Sequence, residues 1–201
     1  MISRIAPDFR LLDAWALPVW GGPDDFGKFL DAIGAVDPVH EGSSASRFLF
    51  WVRLRLGEWF GWDDPAAKQP IPGCTETTLT ARLPAELKGS GWDTTISDTM
   101  RQVAGGFAPV YRTGDEAAAE ISNSTVHGVL HLSWVDEGDR DEGNRRYRGH
   151  MAIYVKPRGR MGAAYMDFIG PFRHLIVYPA LMRHIGRAWA ARDAAGPEST
   201  S

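Results

Sequence analysis

Residues 115–156 alternate apolar and polar side chains through three successive runs, and that alternation limits the fold more than any other feature of the chain. The apolar members are Ala117, Ala119 and Ile121, then Val126, Leu130, Leu132 and Trp134, then Tyr147, Met151, Ile153 and Val155. Successive side chains on a strand point to opposite faces, so the pattern predicts an antiparallel sheet over about 107–156 with one apolar face buried against something else. The strongly apolar segment 162–192 is the element available to bury it. Its Phe172, Leu175, Ile176, Met182, Ile185 and Trp189 follow the helical repeat, which predicts a long C-terminal helix. Gly170-Pro171 marks a break in it and Pro179 a second bend, because proline cannot donate the helix hydrogen bond.

The N-terminal part carries shorter signals. Residues 8–19 read as extended. A helix is expected over 24–34, with Pro23 and two aspartates at its positive end and Gly34 as its stop. A second is expected over 46–60, where Phe48, Val52, Leu56 and Trp59 form one stripe and Gly61 closes the element. Prolines and glycines break up 63–93, leaving a loop with one helical turn between Thr78 and Leu87 at a core edge. The whole reads as a single α+β domain over 8–192, with flexible termini at 1–7 and 193–201.

Bulk properties exclude several classes. A net charge of −3 gives no reason to expect nucleic acid as a partner, and the pair Arg145-Arg146 and the run Arg158–Arg160 are too short, and too balanced by Asp136 to Glu142, to change that. One cysteine, Cys74, rules out an internal disulfide framework and suits a reducing compartment. It would be reactive only in an electropositive setting, and nothing near it in sequence supplies one. Residues 1–10 lack the apolar run of a signal peptide, so a cytoplasmic location is expected. A lipid span through 163–182 would bury Asp167, Arg173 and His174, so no membrane insertion is expected.

With these elements placed, three tracts stand out: Glu120 to Gly128, Met151 to Pro157, and Pro171 to Pro179. Together they resemble the bacterial domain-of-unknown-function 2867 family. The resemblance implies a place in the helix-grip group, with START domains, Bet v 1-like proteins and polyketide cyclases. It implies an antiparallel sheet wrapped around a long bent C-terminal helix, with two short helices near the N-terminus. That group holds carriers of hydrophobic ligands as well as cyclases and hydrolases, and the family brings no catalytic residues to carry over. Some relatives append the domain to a dinucleotide-binding one. Here no glycine-rich fingerprint follows a strand, so no cofactor is expected.

The candidate site follows from small residues on the apolar face. Ala117, Ala119, Gly128 and Gly149 stand where a packed sheet carries valine or isoleucine. They either let a helix approach closely or leave a cavity, and the resemblance favours the cavity. The expected function is therefore binding of a small, mostly apolar molecule between sheet and C-terminal helix, lined by those four residues with Met151, Tyr165, Phe168 and Phe172. The alternative is an enzyme of the cyclase or hydratase type acting on such a ligand by acid–base catalysis. Tyr165 and His174 are its candidate groups, chosen for access to the cavity.

The polar face carries Glu116, Glu120, His127, His131, Arg148 and His150. A two-residue turn at Asn123-Ser124 would set Glu120 opposite His127 and Glu116 opposite His131, with Arg148 beside His131 and His150 beside Val129. These side chains read as an outer, solvated face of weak cross-strand pairs. His127 and His131 lie ~13 Å apart along a strand, too far to share an ion, and no metal site is expected. The self-complementary charges fit a weak homodimer, but the face lacks aromatic anchors, which favours a monomer.

Overall fold

A computed structural model describes residues 1–34, 69–88, 107–123, 125–139, 145–159, 162, 174 and 178–194. Its centre is a five-stranded, wholly antiparallel sheet: β1 (Arg10–Gly21), β2 (Ala108–Arg112), β3 (Glu116–Ser122), β4 (Val126–Asp139) and β5 (Arg145–Pro157). The spatial order is β1-β5-β4-β3-β2, so the N-terminal strand closes onto the last one. Consecutive hairpins build the rest. Pro109 sits on the edge strand β2, where a missing N–H costs the ladder little.

The expected strands are present with their faces as read, but in a different register. Ser122 pairs with His127, so Asn123 to Val126 form a wider loop than the two-residue turn expected at Asn123-Ser124. Asn123 builds that loop: its Oδ1 accepts the N–H groups of Thr125 and Val126, both at 2.9 Å, and its own N–H donates to the Val126 carbonyl. Glu120 consequently faces Val129 and Glu116 faces Ser133. On β5, Ala152 lies beside His131 and Arg148 beside Val135. Each slip is an even number of places, which preserves every side chain's face.

Among the described residues, two helices cover the apolar face. The turn Pro23–Asp25 leads into α2, Phe26–Gly34, with the Asp25 carboxylate accepting the Gly22 N–H at 2.8 Å. Phe26, Phe29 and Leu30 are buried on its inner side. The described C-terminal helix is α3, Tyr178–Ala194, packed on β1 and α2 through Ile185 and Trp189. Pro179 falls in its first turn, where proline costs no hydrogen bond, and not at a bend. The expected Gly170-Pro171 break lies outside the described residues, as does the helix expected over 46–60. No described helix is long and apolar enough to cross a membrane.

The second face departs most from expectation. Residues 1–7, expected to be a flexible terminus, contain the one-turn helix α1 (Ile2–Ile5), with Ile2 and Ile5 buried. Together with Phe9 and with Ile71, Leu79 and Leu83 of the segment 69–88, they lie on Val110, Tyr111, Ala118 and Val129. That segment winds through two 3-10 turns, Leu79–Arg82 and Ala85–Leu87, inside the tract expected to hold helical structure. The sheet is thus covered on both sides, and its polar face is a second core. The reason is energetic. Burying a large apolar side chain gains about 1.5–3 kcal/mol, and polar groups that satisfy one another add little opposing cost.

Candidate functional site

The expected lining residues separate on inspection. Ala117, Ala119 and Met151 lie in the core beneath the helices. Gly149 is covered by α2: a Cβ there would fall 2.8 Å from the Phe29 ring, which stacks on Trp134 at 5.4 Å. At Gly128 a Cβ would fall 3.2 Å from Ile121 on the neighbouring strand. The small residue at Gly149 therefore admits an aromatic ring of α2, the close-approach use of glycine. Tyr165, Phe168 and Phe172 lie outside the described residues.

Chemistry concentrates instead at the start of β1. An irregularity between Leu11 and Asp13 pushes Leu11 outward, half exposed at 50 %, and sets Asp13 opposite Ile153 on the helix-covered face. Trp15 follows two places on, opposite Met151. The Asp13 side chain is only 3 % exposed. Its Oδ2 accepts the Tyr178 hydroxyl at 2.6 Å, and its Oδ1 lies 3.0 Å from Nε2 of His174. The Trp15, His174 and Tyr178 rings stand 5.1–5.8 Å apart around this carboxylate. Trp15 Nε1 is buried and, among the described residues, has no hydrogen-bond partner.

This corner has a definite chemical capacity. A carboxylate taken out of water is tolerated when donors compensate it, and here a phenol and an imidazole do so. A carboxylate on one ring nitrogen fixes the orientation of a histidine and leaves the other nitrogen for proton transfer. His174, the expected catalytic candidate, is thereby held in place, with its side chain 49 % exposed. Asp13 was not among the expected site residues. Its signal was present: an acidic residue at an inward position of an otherwise apolar strand, in register with Trp15 and Leu17.

On the second face the two expected Glu–His contacts form, but diagonally across the strands. His127 Nε2 lies 2.8 Å from Glu120 Oε2, which also accepts the Leu79 N–H at 2.9 Å. His127 is fully buried, edge-on to Phe9. An ionised carboxylate only accepts, which places the ring proton on Nε2. His131 Nε2 lies 2.8 Å from Glu116 Oε2, which also accepts the Tyr111 hydroxyl at 3.1 Å, while the Met1 amino group is 2.6 Å from Oε1. Burial alone would push the Glu116 carboxyl up, but the His131 and amino-terminal hydrogen bonds prevail and hold it at about 2. Burial, and then the neighbouring Glu116 charge, push the Tyr111 hydroxyl well above the ordinary tyrosine value. Glu116, Glu120, His127 and His131, read above as an outer face fit for a dimer contact, thus lie inside the subunit.

Cys74 also differs from expectation. Its Sγ lies 3.0 Å from Arg82 Nη2 and 3.7 Å from Lys156 Nζ, so the fold supplies cations that its sequence neighbours do not. Both cations also bind Asp8, at 2.7 and 2.6 Å. The Arg82 hydrogen bond, outweighing desolvation and joined by Lys156, holds the Asp8 carboxyl well below the usual range. Among the described residues no three of His, Cys, Asp and Glu gather as a metal site.

Residues 5–180 match the family model described as a protein of unknown function, DUF2867, and the chain belongs to that family. The match spans all three motif tracts, 120–128, 151–157 and 171–179. No curated protein and no solved structure matches the chain.

Proposed function

We propose that this DUF2867 member is a helix-grip domain that binds a small, mostly apolar molecule between the sheet and its C-terminal segment. The observation that carries the reading is the Asp13 corner. One buried carboxylate with a phenol and an imidazole on it, set among Trp15, Leu17, Met151 and Ile153, is the usual composition of a ligand site: apolar walls with a few convergent polar groups. Asp13, Tyr178 and His174 orient the ligand's polar end, and the aromatic rings take its body. Mass spectrometry of the small molecules that co-purify with the protein tests this. The expected result is a stoichiometric apolar compound that is lost from a Trp15→Ala variant. A protein that carries none, and whose Trp15→Ala variant binds a fluorescent apolar probe as the parent does, overturns it.

The second reading, a cyclase- or hydratase-type enzyme, is favoured by one observation: His174 Nε2 on Asp13, the arrangement of an oriented acid–base histidine. Under it, His174→Gln retains the ligand and stops its conversion, with Tyr165 the partner group to vary next. If His174→Gln loses ligand and nothing is converted by the parent, the histidine is a binding group and the enzyme reading falls.

A further inference from the structure

At the far end of the second face, away from the N-terminal segment, Trp20 of β1 pairs with Arg148 of β5. The Arg146 and Arg148 guanidinium carbons stand 4.9 and 4.8 Å from the centre of the Trp20 ring. We propose that this stack is a binding site for the phosphate or carboxylate group of a small molecule, with Arg146 the recognising residue. By register it lies on the opposite face of the sheet from Asp13, and it stands independently of the function proposed above.

The two arginines are differently committed. β1 is irregular between Ala16 and Trp20, which turns backbone carbonyls out of the ladder. Arg148 takes them: its Nε donates to the Leu17 carbonyl at 2.9 Å and its Nη2 to that of Ala16 at 3.3 Å. Its remaining nitrogen reaches Glu137 at 3.4 Å. Arg146 stacks on the Trp20 ring. Among the described residues its guanidinium makes no hydrogen bond or ion pair. A guanidinium carries five N–H donors in a planar fork that matches a carboxylate or phosphate, so the stack holds that fork in place with its donors unspent.

Charge points the same way. Among the described residues the carboxylate at the stack is Glu137, which faces Arg148 and lies 3.9 Å from His150. Asp136, next to it, accepts the Gly138 N–H at 2.8 Å. Among the described residues Glu137 therefore offsets Arg148, and Arg146 has no carboxylate partner there. Burial first, and the Arg148 charge second, hold the His150 imidazole below its ordinary value. Trp20, Arg146 and Arg148 are each half-buried, and Val135, opposite Arg148, is 37 % exposed. A fork preorganised on tryptophan pays less ordering entropy when it binds than a free surface arginine does.

The test is an NMR titration of the full chain with inorganic phosphate and, separately, with acetate, following the Arg146 and Arg148 Nε–Hε signals and the Trp20 indole. The expected result is saturable movement of these signals with one or both anions, weakened about tenfold or more in Arg146→Gln, the loss of a charge-assisted bidentate contact. Arg146→Lys keeps the charge and loses the fork, and is expected to bind more weakly than the parent. An unchanged amide spectrum confirms that each variant is folded. Movement reproduced by chloride at matched ionic strength, or retained in Arg146→Gln, means an adventitious ion only and overturns the proposal.

Discussion

The two faces of one sheet solve the same burial problem with opposite chemistry. Beneath α2 and α3 the sheet presents Leu17, Leu130, Leu132, Trp134 and Met151, and aromatic stacking completes the packing. Beneath residues 1–9 and 69–88 it presents Glu116, Glu120, His127 and His131, paired with one another before they are covered. Alternation therefore reports which side chains share a face and says nothing of whether water reaches them. A polar face is buried at low cost when each carboxylate meets an imidazole and a further donor.

The comparison is broken hardest from the apolar side. Phe29 is fully buried, lies on Gly149 and stacks on Trp134. Phe29→Ala is expected to cost about 3–5 kcal/mol in urea denaturation. A loss under 1 kcal/mol would mean that α2 is not seated on the sheet as described.

The matching experiment on the second face removes one member of a buried pair. His127→Leu leaves the Glu120 carboxylate buried with the Leu79 N–H as its hydrogen bond, at a cost of about 3 kcal/mol. Adding Glu120→Gln takes the charge away and keeps an oxygen for Leu79, so the double variant should return to within about 1 kcal/mol of the parent. If the second change brings no recovery, the pair matters through its shape and the two faces are energetically alike.

The same contrast shows how much the sequence disclosed. The strands were readable because period two is a strong pattern, and Pro23 and Gly34 framed α2 because both have backbone reasons to stand there. Register was not readable. It depends on Asn123 bonding two consecutive N–H groups, and a two-residue turn is equally good local chemistry for Asn-Ser. The cover over the second face was hidden because Ile71, Leu79 and Leu83 are isolated apolar residues with no period, and only the fold brings them together. Asp13 was legible only in part: its parity with Trp15 and Leu17 puts it on the inner face, but one acid in an edge strand reads as solvent-facing until its buried partners are placed.

Acid should sharpen the difference between the faces. Glu116 titrates near 2 in the folded protein against 4.5 unperturbed, so its ionised form favours the folded state. That stabilisation is fully present above pH 4.5 and is lost as pH falls toward 2. Asp8, depressed by Arg82 and Lys156, adds a loss of the same sign. Urea midpoints of the parent should therefore fall across this window, and the gap between parent and Glu116→Gln should narrow as the carboxyl protonates. A gap that is constant with pH would show that the His131 and Tyr111 contacts hold a neutral side chain just as well.

The smallest expected effect asks what holds the N-terminal segment down. Lys156 Nζ lies 2.6 Å from Asp8 at a partly exposed position, and Arg82 remains on Asp8 if the lysine is lost. Exposed pairs of this kind contribute about 0.2–1 kcal/mol, so Lys156→Gln should cost no more than that at low salt. The cost should shrink further at about 1 M salt, where the screening length is about 3 Å. Ile2, Ile5 and Phe9 stay buried in the variant, and their apolar contact does most of the holding. A salt-sensitive loss of several kcal/mol from this one substitution would reverse that assignment and make charge, rather than burial, the clasp of the second face.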